Sequence, residues 1–220
     1  MLPRQASRDR CKLRFRKLNH NAFPPPLGFK VNVISKTWRN WNLGRAYAGD
    51  ARAMNRLYCL RDPWKLDGPD ERFRFAETTR IIKDQIGNHF ESIIELGCGE
   101  GLQTGDLCDL ATRIIGVDVS ARAIKRARAR QIPNASFQVG NLNTWNSEEC
   151  DLVLACEILY YLDDLEAAYH RLTTLGRWSL VTYHRGAFDR LDPFFASKPV
   201  RRETIKNENC EWRVVYWQRN

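Results

Sequence analysis

Short runs of apolar residues recur along the second half of the chain, and each run is apolar at nearly every position. Five such runs lie in SIIELGC (92–98), RIIGVDV (113–119), ASFQVGN (135–141), DLVLACEI (151–158) and WSLVTYH (178–184). Strands that are apolar on both faces are typical of a parallel sheet covered by helices. Helical candidates separate these runs at 101–111, 120–130 and 163–175. The pattern therefore predicts repeated βαβ units in a doubly wound, Rossmann-like α/β sheet.

The flanking segments complete the predicted architecture. Between residues 38 and 90 apolar residues recur at spacings of three and four, as in helices. Asp70 is the expected N-cap of one helix, which ends near Gly87. The apolar face of that helix is expected to contain Phe73, Ile81, Ile82 and Ile86. At the chain end, EWRVVYWQ (211–218) alternates like an antiparallel edge strand, with RRETIKN as its hairpin partner. We expect a mostly parallel seven-stranded sheet with an N-terminal helical cap.

Charge is concentrated at the start of the chain. Residues 1–40 contain ten Lys or Arg and one acid, whereas residues 41–220 contain 25 basic and 25 acidic residues. The body is therefore neutral and does not call for a nucleic-acid partner. A basic, proline-broken segment is expected to be a disordered extension, with an organelle transit peptide as the alternative. We expect the extension at 1–36, the helical cap at 37–91 and a cofactor-binding core at 92–220.

The cysteines and the hydropathy narrow the class of protein. Seven cysteines, without any CxxC pair, indicate reduced thiols with neither a zinc site nor a disulfide framework. No apolar run approaches the roughly 18 residues that span a bilayer, and no signal-peptide core follows Met1. These features predict a cytoplasmic protein without a bound metal.

A glycine-rich loop follows the first predicted strand and precedes a helix. Gly97, Gly99 and Gly101 let the backbone approach a ligand closely at a helix N-terminus. The dinucleotide fingerprint GxGxxG requires a glycine where this chain has Leu102, which argues against a nicotinamide oxidoreductase. Glu95 beside the loop would repel a pyrophosphate and attract a cation. A ligand with an ammonium group, a ribose and no phosphate fits, and S-adenosylmethionine is such a molecule.

Polar residues at the ends of the next strands fit the remainder of that ligand. Asp118, at the carboxyl end of the second strand, is placed to accept both ribose hydroxyls, with Val119 beside it. After the third strand, Asn141 and Leu142 offer an amide and a backbone N–H that would read an adenine edge. Their order on successive strands predicts one cofactor site.

These motifs carry a family resemblance. The series ELGCGEG, GVDVS, GNL and DLVLACEILYYL resembles the successive motifs of the class I S-adenosylmethionine-dependent methyltransferases. Upstream, RLYCLRDPWKLDGPDERFR resembles the nodulation-type small-molecule N-methyltransferases, which methylate the free amino sugar of a chitin-like oligosaccharide. In such enzymes the helical segment before the first strand closes over the cofactor. The resemblance therefore implies that Trp64, and Arg72 or Arg74, lie near the cofactor, with the arginine paired to its carboxylate.

The acceptor side is expected at the ends of the fourth and fifth strands. Methyl transfer needs an aligned nucleophile in a site without water, and an amine must arrive unprotonated. Glu157 is expected to bind the cofactor or attract an amine, and Tyr160 and Tyr161 to wall the pocket. His184 is the expected neutral base. Residues 186–209 show little pattern, and their phenylalanines suggest an apolar or stacking surface.

The predicted function is an S-adenosylmethionine-dependent methyltransferase that acts on a small molecule, at nitrogen rather than oxygen. One alternative is an RNA or protein methyltransferase that docks through its basic tail; deletion of residues 1–36 would then abolish activity, and binding would depend steeply on salt. Another is a cofactor-binding protein without catalysis. The arginines of ARAIKRARAR (121–130) are expected to face water, with RNA contact as the alternative. Cys156 is expected to be a packed small residue.

Overall fold

The computed structural model of the chain describes residues 33–47 and 49–219. Residues 1–32, most of the predicted extension, lie outside the described residues. The first described helix begins at Val33, so the last four residues assigned to the extension are helical. None of the described helices combines the length and the apolar character that a bilayer crossing requires.

A seven-stranded sheet forms the centre of the described chain. Its strands are β1 (Phe90–Leu96), β2 (Ala111–Asp118), β3 (Ala135–Val139), β4 (Cys150–Cys156), β5 (Gly176–His184), β6 (Arg201–Lys206) and β7 (Glu211–Gln218). Their order is β3-β2-β1-β4-β5-β7-β6. The first five pair in parallel, whereas β7 runs antiparallel to both β5 and β6. The predicted Rossmann-like, mostly parallel seven-stranded sheet is confirmed.

The position of β7 corrects one expectation. We expected the last strand to be the edge, but β7 lies between β5 and β6, and β6 forms the edge. The physical reason is the burial of β7: Trp212, Val214, Val215, Tyr216 and Trp217 are all at most 2% exposed. A strand this buried needs a neighbour on each side, whereas the charged β6 tolerates an edge.

Seven α-helices flank the sheet within the described residues. They are α1 (Val33–Tyr47), α2 (Ala51–Leu57), α3 (Pro69–Gln85), α4 (Leu102–Leu107), α5 (Ala121–Arg128), α6 (Leu165–Leu175) and α7 (Phe188–Ala196). Side-chain oxygens of Asp50, Ser120 and Asp164 accept backbone N–H groups at the starts of α2, α5 and α6. These short polar side chains satisfy N–H groups that have no partner inside the helix.

Helix α3 starts differently from the expectation. Its N-cap is Gly68, and Pro69 occupies the first helical position, so the predicted cap Asp70 is wrong. The carboxylate of Asp70 instead accepts the side-chain amides of Asn207 and Asn209, at 2.9 and 3.2 Å. The predicted apolar face is also shifted at its start, because Phe73 is 37% exposed and a later phenylalanine of the helix is buried.

Apolar layers cover both faces of the sheet. Consecutive strand residues point to opposite faces, and both members of each of three such pairs are buried: Ile93 and Ile94, Leu152 and Val153, Leu180 and Val181. One face packs against α6 and α7, and the other against α3 and the segment around α4. Helix α7 falls in the region expected to lack pattern. Its Phe195 is buried in the core and stacks on Tyr183 at 5.9 Å, rather than forming a surface.

An arginine of α5 attaches the helical cap to the core, and a second arginine just after α5 supports the glycine loop. The guanidinium of Arg126 donates to the carbonyl oxygens of Tyr58 and Leu60, at 2.7 and 2.9 Å. Arg130 donates through Nε to the carbonyl of Glu100 at 2.6 Å, and Arg126 also pairs with the carboxylate of Glu100. The expectation that these charges simply face water is therefore wrong for Arg126, whereas Arg130 is exposed as expected and also makes this bond. Arg126 fastens the segment after α2 to the loop after β1.

Candidate active site

The glycine loop lies at the carboxyl end of β1, where the strand order reverses and a ligand crevice is expected. Gly97, Gly99 and Gly101 have φ angles of 75°, 54° and 75°, in the left-handed region that favours glycine. A Cβ at Gly97 would stand 2.3 Å from Cγ2 of Ile158. Both backbone geometry and space therefore require glycine here, and the loop presents its backbone without side chains.

Asp118 joins two segments of the site at the end of β2. One carboxylate oxygen accepts the N–H of Gly99 at 3.0 Å, and the other accepts the N–H of Ser120 at 2.7 Å. Burial raises the pKa of Asp118 to about 6, although both backbone hydrogen bonds oppose the rise. Each carboxylate oxygen has a second lone pair, so the group can still accept hydroxyl donors. Asp118 thus orders the glycine loop and presents an acceptor beside it.

Glu95 lies beneath the same loop. It is 3% exposed, and its carboxylate accepts the hydroxyl of Thr104 from the first turn of α4. Burial raises the pKa of Glu95 to about 7, against the lowering effects of that hydrogen bond and of the charge on Arg74. The predicted position beside the loop is therefore observed, with the side chain turned into the fold.

The residues after the second and third strands lie on the far side of Asp118. Its carbonyl accepts the N–H of Gly140 at 3.0 Å, which brings the two segments together. Val119 is half-buried, Leu142 is 9% exposed, and Asn141 is exposed. The side-chain oxygen of Asn141 accepts the N–H of Asn143 at 2.9 Å. Recognition of an adenine edge by Asn141 and Leu142 stays a prediction.

The two candidate arginines of α3 occupy different environments. Arg72 is exposed and pairs with Asp67 at 2.7 Å. Arg74 is 2% exposed and pairs with Glu71 at 2.7 Å. Burial acts to lower the pKa of Arg74, but the charges of Glu71 and Glu157 outweigh it and raise that pKa. Of the two arginines, Arg74 is the one inside the site, and its pairing with a cofactor carboxylate stays a prediction.

Arg74 is also bonded to neutral side chains within the fold. Its Nη1 donates to the Gln103 side-chain oxygen at 3.2 Å and to the Thr182 hydroxyl at 3.3 Å. Gln103 belongs to α4 after the glycine loop, and Thr182 belongs to β5. One buried cation therefore links the cap helix α3, the glycine-loop side and the acceptor side.

Glu157 is the centre of the acceptor side. It follows β4 with a φ of 57°, an unusual conformation for a residue other than glycine. Its carboxylate accepts the Thr182 hydroxyl at 3.0 Å, the His184 backbone N–H at 3.1 Å and the Tyr160 hydroxyl at 3.3 Å. Burial acts to raise the pKa of Glu157, but bonds from His184 and the charge of Arg74 lower it overall. Glu157 is thus a carboxylate at neutral pH.

His184 and Glu157 form a pair. Nδ1 of His184 is 3.2 Å from a carboxylate oxygen of Glu157. An anionic acceptor there favours the tautomer with the proton on Nδ1, which makes Nε2 the nitrogen that can accept a proton. A Cβ at Gly186 would stand 2.8 Å from Nε2, so glycine leaves that edge of the ring uncovered. The two candidates are therefore brought together, and the role of His184 as a base stays a prediction.

Aromatic rings line the space next to this pair. Tyr160 packs edge-on against the His184 ring, with centroids 4.9 Å apart. The rings of Tyr160 and Tyr161 are 4.6 Å apart, and Trp64 of the cap meets Tyr161 at 6.1 Å. The ring of Trp64 therefore extends the predicted wall of Tyr160 and Tyr161. Their roles toward a bound molecule stay predictions.

Three site residues escaped the sequence interpretation. Thr182 lies two positions before His184, and strand alternation would have placed both on one face. Gln103 follows the glycine loop, and its bond to Arg74 has no local signal. Tyr58 of the cap is 3% exposed, and its hydroxyl is 3.1 Å from where a Cβ of Gly99 would stand.

The thiol beside the acceptor side packs as expected. Cys156 is 7% exposed, and Nε2 of Gln103 lies 3.4 Å from its sulfur. Burial raises the pKa of Cys156 to about 11, so the thiol stays protonated at neutral pH. Across residues 33–47 and 49–219, no three His, Cys, Asp or Glu side chains are grouped as metal ligands would be.

Comparisons with known proteins address the class of this domain. Residues 93–177 match the family described as "Methyltransferase domain". Nodulation protein S of Rhizobium tropici is 36% identical over 116 residues, which are 51% of this chain and 48% of that protein. Trans-aconitate 2-methyltransferase of Deinococcus radiodurans is 32% identical over 77 residues, which are 34% of this chain and 30% of that protein. The chain spans 48% to 61% of the length of the nodulation proteins it matches.

A solved structure shows the same fold. The N-methyltransferase NodS from Bradyrhizobium japonicum WM9, in complex with S-adenosyl-L-homocysteine, superposes with a TM-score of 0.63 at 21% identity. The superposition covers 79% of this chain and 98% of that chain. At this identity the likeness concerns the fold alone. This fold is the one predicted from the sequence.

Proposed function

We propose that the chain is an S-adenosyl-L-methionine-dependent methyltransferase for a small molecule, because residues 93–177 match a methyltransferase-domain family and lie in a doubly wound, mostly parallel sheet. The proposed acceptor atom is an amine nitrogen, as in an amino sugar or a similar compound. Similarity to nodulation protein S and to an N-methyltransferase of the same fold supports nitrogen over oxygen. The proposed location is the cytoplasm, consistent with the six free cysteines among the described residues.

The observation that carries this proposal is the buried carboxylate of Asp118 bonded to the N–H groups of Gly99 and Ser120. The residues present fit S-adenosylmethionine. Asp118 offers lone pairs to two ribose hydroxyls, and the loop from Gly97 to Gly101 leaves no side chain between its backbone and a ligand. When bound, the cofactor supplies an activated methyl group that leaves sulfur by in-line displacement.

The protein's part on the acceptor side is to hold and remove a proton. In this proposal, Glu157 holds the proton of His184 on Nδ1, and Nε2 takes a proton from the acceptor amine. The resulting imidazolium would be stabilised by the Glu157 carboxylate, whose pKa lies below its ordinary value. The rings of Tyr160 and Tyr161 would exclude water from that path. A neutral amine is the nucleophile that methyl transfer requires.

Direct methyl transfer tests the proposal. Purified protein is incubated with methyl-labelled S-adenosylmethionine and with matched acceptors: amino sugars, simple amines, their hydroxyl analogues and carboxylic acids. We expect label in amines and amino sugars, and little in the variant His184→Gln. Label only in carboxylic acids would overturn the assignment to nitrogen. No label in any acceptor, with no binding of S-adenosylhomocysteine, would overturn the function.

A separate experiment tests the alternative, an RNA or protein methyltransferase that docks through its basic tail. Because α1 begins at Val33, the truncation should remove residues 1–32 and no more. We expect the truncated protein to keep its activity on small amines. Loss of that activity, with gain of label in RNA or protein only when the tail is present, would favour the rival.

A further inference from the structure

A tyrosine of the cap reaches the cofactor side of the site from above the glycine loop. Tyr58 follows α2 and is 3% exposed. Its hydroxyl lies 3.1 Å from where a Cβ of Gly99 would stand, and a methyl of Leu66 lies 3.5 Å from the same point. Burial raises the pKa of Tyr58, and the next cause is the negative charge of Asp118. The phenol therefore lies close to both Gly99 and Asp118.

The polar end of Tyr58 is chemically suited to a ligand. Its raised pKa keeps the hydroxyl protonated at neutral pH, so it is a hydrogen-bond donor. The backbone carbonyl of Tyr58 accepts a bond from Arg126, whereas its hydroxyl faces Gly99.

The backbone around Tyr58 is held by charged bonds from the core. Arg126 donates to the carbonyls of Tyr58 and Leu60 and pairs with the carboxylate of Glu100 in the glycine loop. The side chain of Glu100 is 9% exposed. A planar guanidinium with several donors fixes the geometry of such a cluster in a way that a lysine cannot. Arg126 therefore fixes the position of Tyr58 relative to the glycine loop.

We propose that Tyr58 contacts the ribose side of bound S-adenosylmethionine and that Arg126 is the positioning residue that holds it there. The inference rests on the proposed function. The chemistry of the two ribose-side groups is complementary. Ionised Asp118 only accepts hydrogen bonds, so it takes the hydroxyl protons of a ribose. Tyr58 donates, so it binds an oxygen of the same group. The cap then contributes a hydrogen bond to cofactor affinity, in addition to covering the site.

Calorimetric titration with S-adenosylhomocysteine tests the inference without any acceptor. Tyr58→Phe removes the hydroxyl and keeps the ring, and we expect its affinity to fall about 5- to 20-fold, as for one lost hydrogen bond. Arg126→Lys keeps the charge and loses the planar donor set, and we expect a loss of similar size. Arg122→Lys is the matched control on α5, because the Arg122 side chain makes one long contact with the cap, 3.4 Å to the Asn55 carbonyl, and its backbone bond to the Asn55 side chain is kept in the variant. We expect its affinity to match wild type.

Hydrogen exchange of residues 49–66 gives a second measurement on the protein without ligand. We expect Arg126→Lys to speed exchange in this segment, whereas Tyr58→Phe leaves it unchanged. Wild-type affinity in Tyr58→Phe would overturn the contact. Faster exchange in Arg126→Lys with unchanged affinity would overturn the positioning role. If the wild-type protein itself does not bind S-adenosylhomocysteine, the proposed function is wrong. That outcome differs from the outcomes that overturn this inference alone.

Discussion

Acidification should weaken cofactor binding through Asp118 while it stabilises the fold. The carboxylate must be ionised to accept two ribose hydroxyls. Burial raises the pKa of Asp118 to about 6, against the N–H bonds from Ser120 and Gly99. Lowering the pH from 8 to 5 therefore protonates the group in the folded protein, and the form that binds becomes a minority.

The size of both effects follows from that pKa. With a pKa of about 6, roughly one molecule in eleven is ionised at pH 5, so the apparent Kd should rise about tenfold, or ~1.4 kcal/mol. Folding responds with the opposite sign, because the folded protein holds this proton more tightly than the unfolded chain. The stabilising contribution is fully present at pH values below 3.8, the ordinary pKa of the group, and is lost as the pH rises through about 6. The free energy of unfolding should change by about 3 kcal/mol between these limits.

Two titrations check this prediction. Calorimetry with S-adenosylhomocysteine between pH 5 and pH 8 gives the affinity, and urea unfolding between about pH 3.5 and pH 8 gives the free energy of unfolding over the whole window. Asp118→Asn should bind weakly at every pH, should remove most of the pH dependence of the affinity, and should remove only the Asp118 share, about 3 kcal/mol, of the pH dependence of unfolding. Glu95→Gln is the control for the affinity: because the pKa of Glu95 is raised to about 7, this variant should lose the Glu95 share of the pH dependence of unfolding and keep the pH dependence of the affinity. A wild-type affinity independent of pH, or a pH dependence unchanged in Asp118→Asn, would refute the reasoning.

Three further substitutions test the site. Gly97→Ala should lower the free energy of unfolding by about 2–4 kcal/mol, from left-handed strain and the 2.3 Å approach to Ile158, and unchanged urea denaturation would contradict this. Arg74→Met should lower the free energy of unfolding by about 2–3 kcal/mol in the same assay. This is less than the loss of one partner from a fully buried ion pair would cost, because the side chain of Glu71 is 21% exposed. His184→Gln should lower turnover about 10²- to 10⁴-fold with cofactor affinity unchanged, and normal turnover would remove His184 as the base.

The sheet and its glycine loop could be predicted because their signals are local. A short run that is apolar at nearly every position is typical of a covered strand, and the burial of consecutive residues such as Ile93 and Ile94 explains the pattern. Three glycines after such a strand, with Asp118 after the next, define a ligand loop by backbone conformation alone. The φ angles of Gly97, Gly99 and Gly101 match that expectation.

Contacts between distant segments could not be predicted from those signals. The sequence of an arginine-rich helix does not indicate whether its side chains contact water or the carbonyls of a cap. The bonds of Arg126 to Tyr58 and Leu60 therefore could not be predicted from the sequence. The pairing of Glu157 with His184 depends on β4 and β5 being neighbours. Helix α7 was missed because Pro193 and clustered phenylalanines hide its period.

Calorimetric titration of the whole chain with S-adenosylhomocysteine at pH 8, beside NADH, tests the central claim most directly. We predict micromolar binding of S-adenosylhomocysteine, no binding of NADH, and at least tenfold weaker binding in Asp118→Asn, on the scale of a lost charged hydrogen bond. Equal binding by wild type and Asp118→Asn, or no binding by the wild type, would contradict the assignment of this site to S-adenosylmethionine.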